Sequence, residues 1–316
     1  MATLDGSMAS FQDWLEGARL RTLPAAVAPV FIGVGAALNL GGASVGKSLL
    51  AFGVALALQV GVNFANDYSD GKRGTDEVRL GPTRLTASGL VPPKTVLAMA
   101  LACFGLAAVL GLALIAWSGQ WWMLGVGVAA VAAAWFYTGG SHPYGYMGVG
   151  LSEAFVFIFF GLVATIGTTY VQSFEAPWWL WLGASGIGLV SIALLMVNNV
   201  RDIPTDSEVG KRTVAVRLGD GLSRKLYVAL IVSSIILGTA AVSGANARLV
   251  GDGLLLWGPA IFAVAASAGA VPGARGVLSG AGGKDLLPAL RNTGLFALAY
   301  GIGLGALFAF GAGTLI

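Results

Sequence analysis

Long runs of apolar residues, separated by short polar segments, form the dominant pattern along the chain. A helix that crosses a membrane needs about 20 mostly apolar residues, and a transmembrane β-barrel would instead show alternating segments of about ten residues. The sequence has runs of the first kind and no such alternation. The pattern therefore predicts an all-α polytopic membrane protein with about nine transmembrane helices. The predicted spans are residues 20–40, 48–68, 95–117, 121–138, 148–170, 178–199, 226–243, 253–271 and 292–316.

Composition supports this class and limits the domain organisation. Of the 316 residues, 56% are apolar and only 10% are charged, which exceeds what a soluble core of this length needs. No connecting segment is long enough for an independent domain, so we expect residues 1–316 to form a single transmembrane domain. Residues 1–18 suit a short interfacial helix, because Phe11, Trp14 and Leu15 share one face. The single Cys103 excludes a disulfide framework and a cysteine metal site.

The distribution of basic residues predicts the orientation in the membrane. With a cytoplasmic N-terminus, all but two of the 18 Lys and Arg residues fall in the N-terminal segment or in cytoplasmic loops, and only Lys47 and Arg248 lie on the other side. Such a bias is the usual mark of cytoplasmic loops. The net charge of +3 reflects these loops and gives no indication of a nucleic-acid partner.

Two polar clusters follow apolar spans in the same way. The second span ends in "NFANDYSDGKRGTDE" (63–77, the first motif), and the sixth ends in "NNVRDIPTDSEVGKRT" (198–213, the second motif). Positions i, i+4 and i+7 or i+8 share one helical face. That face carries Asn63, Asp67 and Asp70 in the first motif. In the second motif it carries Asn198, Asp202 and Asp206. The matching spacing indicates an internal repeat whose two halves face each other across one cavity.

These clusters favour a site for magnesium and a diphosphate. Carboxylates are unfavourable at the negative end of a helix dipole unless a cation compensates them, and oxygen-only ligand sets suit Mg²⁺, which binds carboxylates together with substrate phosphates. Basic pairs follow each cluster, Lys72–Arg73 and Lys211–Arg212. An amphiphile with a diphosphate head and a hydrocarbon tail fits both the polar motifs and the apolar helices. The alternatives are that the acids only mark the end of a span and that the basic residues only face the inner leaflet.

In these two motifs the chain resembles the UbiA superfamily of intramembrane prenyltransferases. Four stretches resemble its naphthoate branch: "RLRTLPAAVAPV" (19–30), "NDYSDGKRGTD" with "LGPTRLTASGL" (66–90), "WFYTGGSHPYGYMGVG" (135–150) and "NNVRDIPTDSEVGKRTVAVRLG" (198–219). The resemblance implies a helical bundle around a central cavity in a bacterial cell membrane. It implies Mg²⁺-dependent transfer of a polyprenyl group from polyprenyl diphosphate to 1,4-dihydroxy-2-naphthoate, with loss of CO₂ and diphosphate, to give demethylmenaquinone.

The same resemblance implies roles for individual residues. Two Mg²⁺ ions are expected, held by Asn63, Asp67, Asp70, Asn198, Asp202 and Asp206. The four aspartates are also expected to be catalytic, together with Lys72 and Arg73. Substrate-binding roles are expected for Arg21, Asn66, Arg84, Tyr144, Tyr146, Glu153, Lys211 and Arg212. Asp76 either binds metal or orders its loop.

Several alternatives stay open at this stage. Arg21 and Arg84 serve equally well as topology signals, and Tyr144 and Tyr146 as ordinary interfacial tyrosines. Pro204 either ends the sixth span near Asp202 or bends it, because proline removes a helical hydrogen bond. A transporter for Mg²⁺ or an anion is the alternative of another class. Prenyltransferases for 4-hydroxybenzoate, haem or homogentisate, or a lipid-linked sugar transferase, are alternatives within the superfamily.

Overall fold

The computed structural model describes residues 9–74, 84–246 and 257–311, and these residues form helices and connecting turns without any β-strand. The all-α prediction is confirmed. The helices, numbered here in chain order, are α1 (Phe11–Ala18), α2 (Leu23–Asn39), α3 (Val45–Arg73), α4 (Pro93–Ser118), α5 (Met123–Phe136), α6 (Leu151–Ser173), α7 (Trp178–Glu208), α8 (Val214–Leu218), α9 (Asp220–Asn246), α10 (Gly258–Leu278) and α11 (Leu287–Phe310).

The number of spans agrees with the sequence prediction except at one helix. Within the described residues, eight helical segments are long and apolar enough to cross a membrane. The span predicted at 121–138 corresponds to α5, which has only 14 residues. Such a helix rises about 21 Å, less than the roughly 30 Å of a bilayer core. It is short because turns at Gln120–Trp122 and after Phe136 interrupt the apolar run.

The two helices that carry the motifs extend beyond the predicted spans. α3 continues to Arg73 and ends at Gly74, whose φ of 75° lies in the left-handed region that glycine adopts without strain. α7 continues through Pro204 to Glu208 as one helix, so neither a break at Asp202 nor a restart occurs. Asp67, Asp70, Asp202 and Asp206 therefore lie inside helices.

The long helices pack against each other in three close pairs. α3 packs along α4, α7 along α9, and α2 along α11. In the last pair the backbones meet so closely that a Cβ on Gly35 would overlap the backbone of Gly305. Small residues at such crossings are typical of membrane helices. The largest buried cluster lies among α7, α9, α10 and α11, and includes Ile187, Tyr227 and Phe296.

Most of the tryptophans near helix ends are exposed, as lipid-facing residues at an interface are expected to be. They are Trp117, Trp121, Trp122, Trp178, Trp181 and Trp257. Trp179 differs: it is almost completely buried and packs edge-on against Phe308, with ring centroids 4.7 Å apart. The ring of Trp178 thus faces outward, and the ring of the next residue, Trp179, lies in the core.

Candidate active site

A cavity of about 320 Å³ lies between α2, α3, α5, α6, α7 and α11. One part of its lining is apolar and the other is polar. The apolar lining includes Ala55, Leu58, Val62, Ala130, Ala133, Ala134, Phe155, Phe159, Phe160, Leu194 and Leu195. The polar lining includes Arg19, Arg21, Asn63, Asn66, Asp70, Arg84, Tyr137, Thr138, Asn198, Asn199, Lys211 and Arg291. The cavity therefore accommodates an amphiphile.

Part of the apolar wall comes from an irregular stretch of α6. Residues Phe157–Val163 form a π-helical segment, from which Phe159 and Phe160 line the cavity. π-helical turns inside α-helices occur often at functional sites. Gly161 on the same segment has no room for a Cβ, which would lie 2.7 Å from the Cα of Gly188 in α7. The close crossing of α6 and α7 fixes the two phenylalanines on the cavity side.

The first motif contributes Asn66 and Asp70, one helical turn apart on α3. Asp70 Oδ1 accepts a hydrogen bond of 2.6 Å from the Tyr146 hydroxyl, and Oδ2 lies 3.8 Å from Arg84 Nη2. Asn66 Oδ1 accepts a 2.7 Å hydrogen bond from the Thr138 hydroxyl. Both residues line the cavity, so the motif presents one amide oxygen and one carboxylate.

Asn63 and Asp67 are placed differently from the sequence prediction. Asp67 is completely buried, and its two carboxylate oxygens accept the backbone N–H groups of Leu85 and Thr86, both at 2.9 Å. It is not among the described residues that line the cavity. Asn63 lines the cavity, but it donates to Ala18 O at 2.8 Å and its own oxygen accepts from Gln59. These contacts hold neighbouring segments together, and the metal roles of the two residues stay predictions.

The second motif brings its carboxylates close to cations. Asp202 forms a bidentate ion pair with Arg201, with Nε–Oδ1 and Nη2–Oδ2 distances of 2.7 and 2.6 Å. Asp206 Oδ1 lies 3.3 Å from Lys211 Nζ. The residues of α7 that line the cavity here are Asn198 and also Asn199, which the sequence analysis did not select. The sequence does carry a signal for Asn199, because Asn199, Asp202 and Asp206 have the spacing i, i+3, i+7 of one helical face.

Tyr146 connects the two motifs. Its hydroxyl donates to Asp70, and its ring lies 5.3 Å from Lys211 Nζ and 5.4 Å from Arg73 Cζ, measured to the ring centroid. Cations at these distances are attracted to a tyrosine ring. Because Lys211 also pairs with Asp206, a continuous chain of contacts runs from α3 to α7 through Tyr146.

The remaining residues of the two basic pairs lie outside the cavity lining. Arg73 donates to the carbonyl oxygens of Thr138 and Gly140 and thereby holds the turn after α5. Lys72 is exposed and lies over the Tyr68 ring. Arg212 is exposed, and its backbone N–H donates to Tyr146 O at 3.0 Å. Of the four predicted basic residues, Lys211 alone lines the cavity. Asp76 lies outside the described residues.

Arg21 and Arg84 both line the cavity, and two further arginines join them; the substrate-binding roles of Arg21 and Arg84 stay predictions. Arg19 follows α1 in a left-handed conformation with φ of 52°, and Arg291 comes from α11. The last helix carries little that is diagnostic, so sequence reasoning had no signal for Arg291. Asp70 is the one carboxylate in the described lining, against Arg19, Arg21, Arg84, Lys211 and Arg291. The polar end is electropositive and suits a multiply charged anion.

Tyr137 and Tyr144 are protonated hydroxyl groups on the cavity wall. Burial raises the pKa of both phenols far above the ordinary value, and at Tyr137 the nearby charges of Glu153, Asp70 and Asp206 add to this effect. Tyr144 donates to Ala133 O at 2.7 Å, and its ring packs on Phe155. Glu153 is not among the described lining residues, and its two buried oxygens have no hydrogen-bond partner in the described part of the chain.

A second, smaller cavity adjoins the polar end. We call it the arginine chamber: it has a volume of about 230 Å³ and shares Arg19, Arg21 and Arg84 with the main cavity. Arg201 completes its set of guanidinium groups, and Glu16 of α1 is the one carboxylate in its described lining. The chamber extends the electropositive region toward α1.

The donor set of the polar end fits Mg²⁺ once a phosphate is present. Among the described residues, no group of three or more carboxylate, histidine or cysteine side chains is close enough to hold a metal by itself. Mg²⁺ binds through one or two carboxylates, waters and substrate phosphates. Asp70, Asn66 and Asn199 line the same cavity and offer oxygen ligands of this kind. Asp202 and Asp206 follow Asn199 on α7.

Comparisons with known proteins find one matching family and several similar sequences. Residues 26–280 match the model of the UbiA prenyltransferase family. The chain is 46% identical over 305 residues to 1,4-dihydroxy-2-naphthoate octaprenyltransferase of Mycobacterium tuberculosis, covering 96% of this chain and 99% of that protein. It is 36% identical to the Escherichia coli protein of the same name, over 71% of this chain and 74% of that protein.

A solved structure has the same fold. A UbiA homologue from Archaeoglobus fulgidus, bound to GPP and Mg²⁺, superposes with a TM-score of 0.64 at 16% sequence identity. The match covers 92% of this chain and 99% of that chain. At this identity the likeness concerns the fold, which agrees with the predicted helical bundle around a cavity.

Proposed function

The chain belongs to the UbiA prenyltransferase family, and from this premise we propose that it transfers a polyprenyl group from polyprenyl diphosphate to 1,4-dihydroxy-2-naphthoate, with release of diphosphate and CO₂. The observation that carries the proposal is the two-part cavity. Its apolar part suits a prenyl chain, and its electropositive part lies between the two acidic motifs. Relatives named for this reaction, at 46% identity over nearly the full length, support the acceptor.

The diphosphate would lie at the polar end of the cavity. Arg84 and Lys211 would bind its oxygens, and Asn66, Asp70 and Asn199 would hold Mg²⁺ against it; the support is that all five line the cavity. The carboxylates of Asp202 and Asp206 complete the set for a second ion. When bound, Mg²⁺ acts as a Lewis acid that stabilises the charge of the departing diphosphate. The protein cations would add to this stabilisation because the protein fixes them around the site.

Residues of the apolar part protect and guide the prenyl chain. Loss of diphosphate leaves an allylic cation, which water would convert to an alcohol. Phe155, Phe159 and Phe160 exclude water from this part of the cavity, and the faces of Tyr137 and Tyr144 stabilise positive charge. The ring carbon that carries the carboxylate attacks the cation, a carbon–carbon bond forms there, and the carboxylate leaves as CO₂. The electrons of the broken ring–carboxylate bond restore the aromatic ring.

We also infer the environment and orientation of the protein. Its helices make it a multi-pass membrane protein, and we place it in a bacterial cell membrane with the N-terminus and the polar end of the cavity on the cytoplasmic side. The bias of Lys and Arg toward the predicted cytoplasmic loops supports this orientation. A soluble naphthoate then reaches the site from the cytoplasm, and the lipid product stays in the membrane.

An acceptor assay tests the proposal. Purified protein in lipid nanodiscs is supplied with a polyprenyl diphosphate, Mg²⁺ and either 1,4-dihydroxy-2-naphthoate or 4-hydroxybenzoate. We expect diphosphate, CO₂ and a prenylated naphthoquinol from the first acceptor only, and loss of all three products without Mg²⁺. Turnover of 4-hydroxybenzoate alone would assign the protein to another acceptor class. Passage of Mg²⁺ through the bilayer without prenyl transfer would favour a transporter.

A further inference from the structure

Arg201 and Asp202 form an unusual pair within α7. They are consecutive residues, each only 3% exposed, and two hydrogen bonds of 2.6 and 2.7 Å join them. Consecutive residues on a helix do not face each other, so both side chains turn toward a common side to make this contact. A buried carboxylate is costly unless a cation or several donors compensate it. Arg201 supplies that compensation to a residue that the sequence predicts as a metal ligand.

The same arrangement recurs at the other carboxylates beside the cavity. Asp70 has Arg84 at 3.8 Å, and Asp206 has Lys211 at 3.3 Å. Arg84 and Lys211 line the main cavity. Asp67, which is away from the cavity, is bound by backbone N–H groups instead. Asp70 and Asp206 thus each lie near a basic side chain that lines the main cavity.

Arg201 also lines a place where an anion can bind. It borders the arginine chamber together with Arg19, Arg21 and Arg84. In Arg19, Nη2 is buried and has no hydrogen-bond partner among the described residues. A buried donor of this kind is expensive to leave unsatisfied, and an anion in the chamber would satisfy it. Guanidinium groups are well suited to phosphate oxygens, which they bind in a bidentate manner.

We propose that Arg201 is a diphosphate-binding residue, and that in the ligand-free protein it serves as the counter-ion of Asp202 in place of a metal. The proposal rests on the proposed function in taking a prenyl diphosphate as the anion. When Mg²⁺ and diphosphate enter together, Asp202 exchanges Arg201 for the metal and Arg201 exchanges Asp202 for phosphate oxygens. Diphosphate draws Arg201 away from Asp202 and so favours Mg²⁺ binding. Mg²⁺ draws Asp202 away from Arg201 and so favours diphosphate binding, and the two binding events are therefore coupled. Mg²⁺ alone must displace a buried guanidinium and binds weakly.

Binding measurements on Arg201→Gln test this exchange without any catalytic turnover. The probes are Mg²⁺ alone and inorganic pyrophosphate with saturating Mg²⁺, measured by calorimetry on protein in nanodiscs. We expect Mg²⁺ alone to bind about tenfold more tightly than to the wild type, because its competitor for Asp202 is gone. We expect Mg²⁺-pyrophosphate to bind about tenfold more weakly, because a phosphate contact is lost. A residue with only a structural role would not strengthen Mg²⁺ binding and weaken Mg²⁺-pyrophosphate binding when it is replaced.

Two further variants keep the test decisive. Arg201→Lys retains the charge without the bidentate contact, and should show both changes at smaller size even if the glutamine variant folds poorly. Arg224→Gln is a matched control, because Arg224 forms a similar bidentate pair with Asp220 but borders neither cavity. It should leave both affinities at the wild-type values. Thermal unfolding provides a second readout, since Mg²⁺ alone should raise the Tm of Arg201→Gln more than that of the wild type.

The outcomes separate this inference from the proposed function. If both affinities fall together in Arg201→Gln, or neither changes, Arg201 is not exchanged and the proposal is wrong. If the wild type prenylates the naphthoate while the Arg201 variants show no opposite changes, the proposed function stands and the exchange fails. If the opposite changes occur but neither acceptor is prenylated, the exchange stands and the acceptor assignment fails.

Discussion

At the scale of single residues, the two aspartates of the first motif have different surroundings although they are three positions apart on α3. Asp70 lines the cavity and contacts Tyr146 and Arg84. Asp67 is completely buried and accepts two backbone N–H groups of the segment that carries Arg84. Their conservative substitutions should therefore affect different properties.

We expect Asp70→Asn to lower prenyl transfer at least about 100-fold, because under the proposed function it removes a charge that acts at the reacting diphosphate, while the Tm changes little. Asp67→Asn places an amide N–H₂ group against a backbone N–H. The unsatisfied buried donor costs about 1–3 kcal/mol, so the Tm falls. The Mg²⁺ concentration for half-maximal turnover should stay near the wild-type value. Turnover against Mg²⁺ and thermal unfolding measure both effects. An equal loss of Mg²⁺ dependence in the two variants would contradict this division of roles.

Tyr146 offers a second prediction at this scale. Tyr146→Phe keeps the ring between Arg73 and Lys211 but loses the hydrogen bond to Asp70, and hydrogen bonds to charged groups contribute about 1.5–3 kcal/mol. We expect turnover to fall about tenfold, and to fall further in Tyr146→Leu, which also loses the cation–ring contacts. Tyr170→Phe in α6 is the control and should retain wild-type turnover. Equal rates for the phenylalanine and leucine variants would show that the ring contributes nothing.

Helical periodicity predicted a shared helical face but not which of its side chains line the cavity. Asn63, Asn66, Asp67 and Asp70 all fall within one stripe of α3, and the segment at Leu85 and Thr86 decides which of them is withdrawn from the cavity. That segment is 18 residues away in sequence, and no spacing rule within one helix contains it. Arg291 was missed for the same kind of reason, because it reaches the site from the last helix.

At the scale of helices, the apolar pattern shows where each apolar run ends but not where the helix ends. The second predicted span ended at residue 68, and α3 reaches Arg73. Basic residues in the last turn stabilise a helix C-terminus, and Gly74 provides the left-handed residue that ends it. α7 likewise extends through Pro204. α5 was predicted as a full span, and turns on both sides shorten it to 14 residues.

The crossing of α2 and α11 yields a prediction for one glycine. A Cβ at Gly35 would overlap the backbone of Gly305, whereas a Cβ at Gly303 meets no atom within 4 Å. Alanine is favoured over glycine inside a helix by about 1 kcal/mol, and overpacking typically costs about 1–3 kcal/mol. We therefore expect Gly35→Ala to lower the Tm in detergent and Gly303→Ala to leave it equal or higher. A Tm for Gly35→Ala at or above the wild-type value would show that the two helices separate at little cost.

At the scale of the whole molecule, the residues that predict orientation are also residues of the site. Arg19, Arg21, Arg84, Lys211 and Arg291 form the electropositive end of the cavity. All five belong to the N-terminal segment or to predicted cytoplasmic loops. The topology signal and the anion site thus share one set of charges. If the positive-inside bias governs insertion, the end of the cavity that suits a diphosphate faces the cytoplasm.

Labelling of single cysteines tests this orientation in membranes. In a Cys103→Ala background, Ser141→Cys lies in the exposed turn after α5, and Glu175→Cys lies in the exposed turn between α6 and α7. A membrane-impermeant maleimide should label residue 141 only in inside-out vesicles and residue 175 only in right-side-out vesicles. Prenyl transfer by both variants serves as the control for correct folding. The reverse labelling would place the cavity cations on the outer face, where a cytoplasmic naphthoate could not reach them. Since Arg73 binds the turn that contains residue 141, the label also reports the side of the membrane on which the first motif lies.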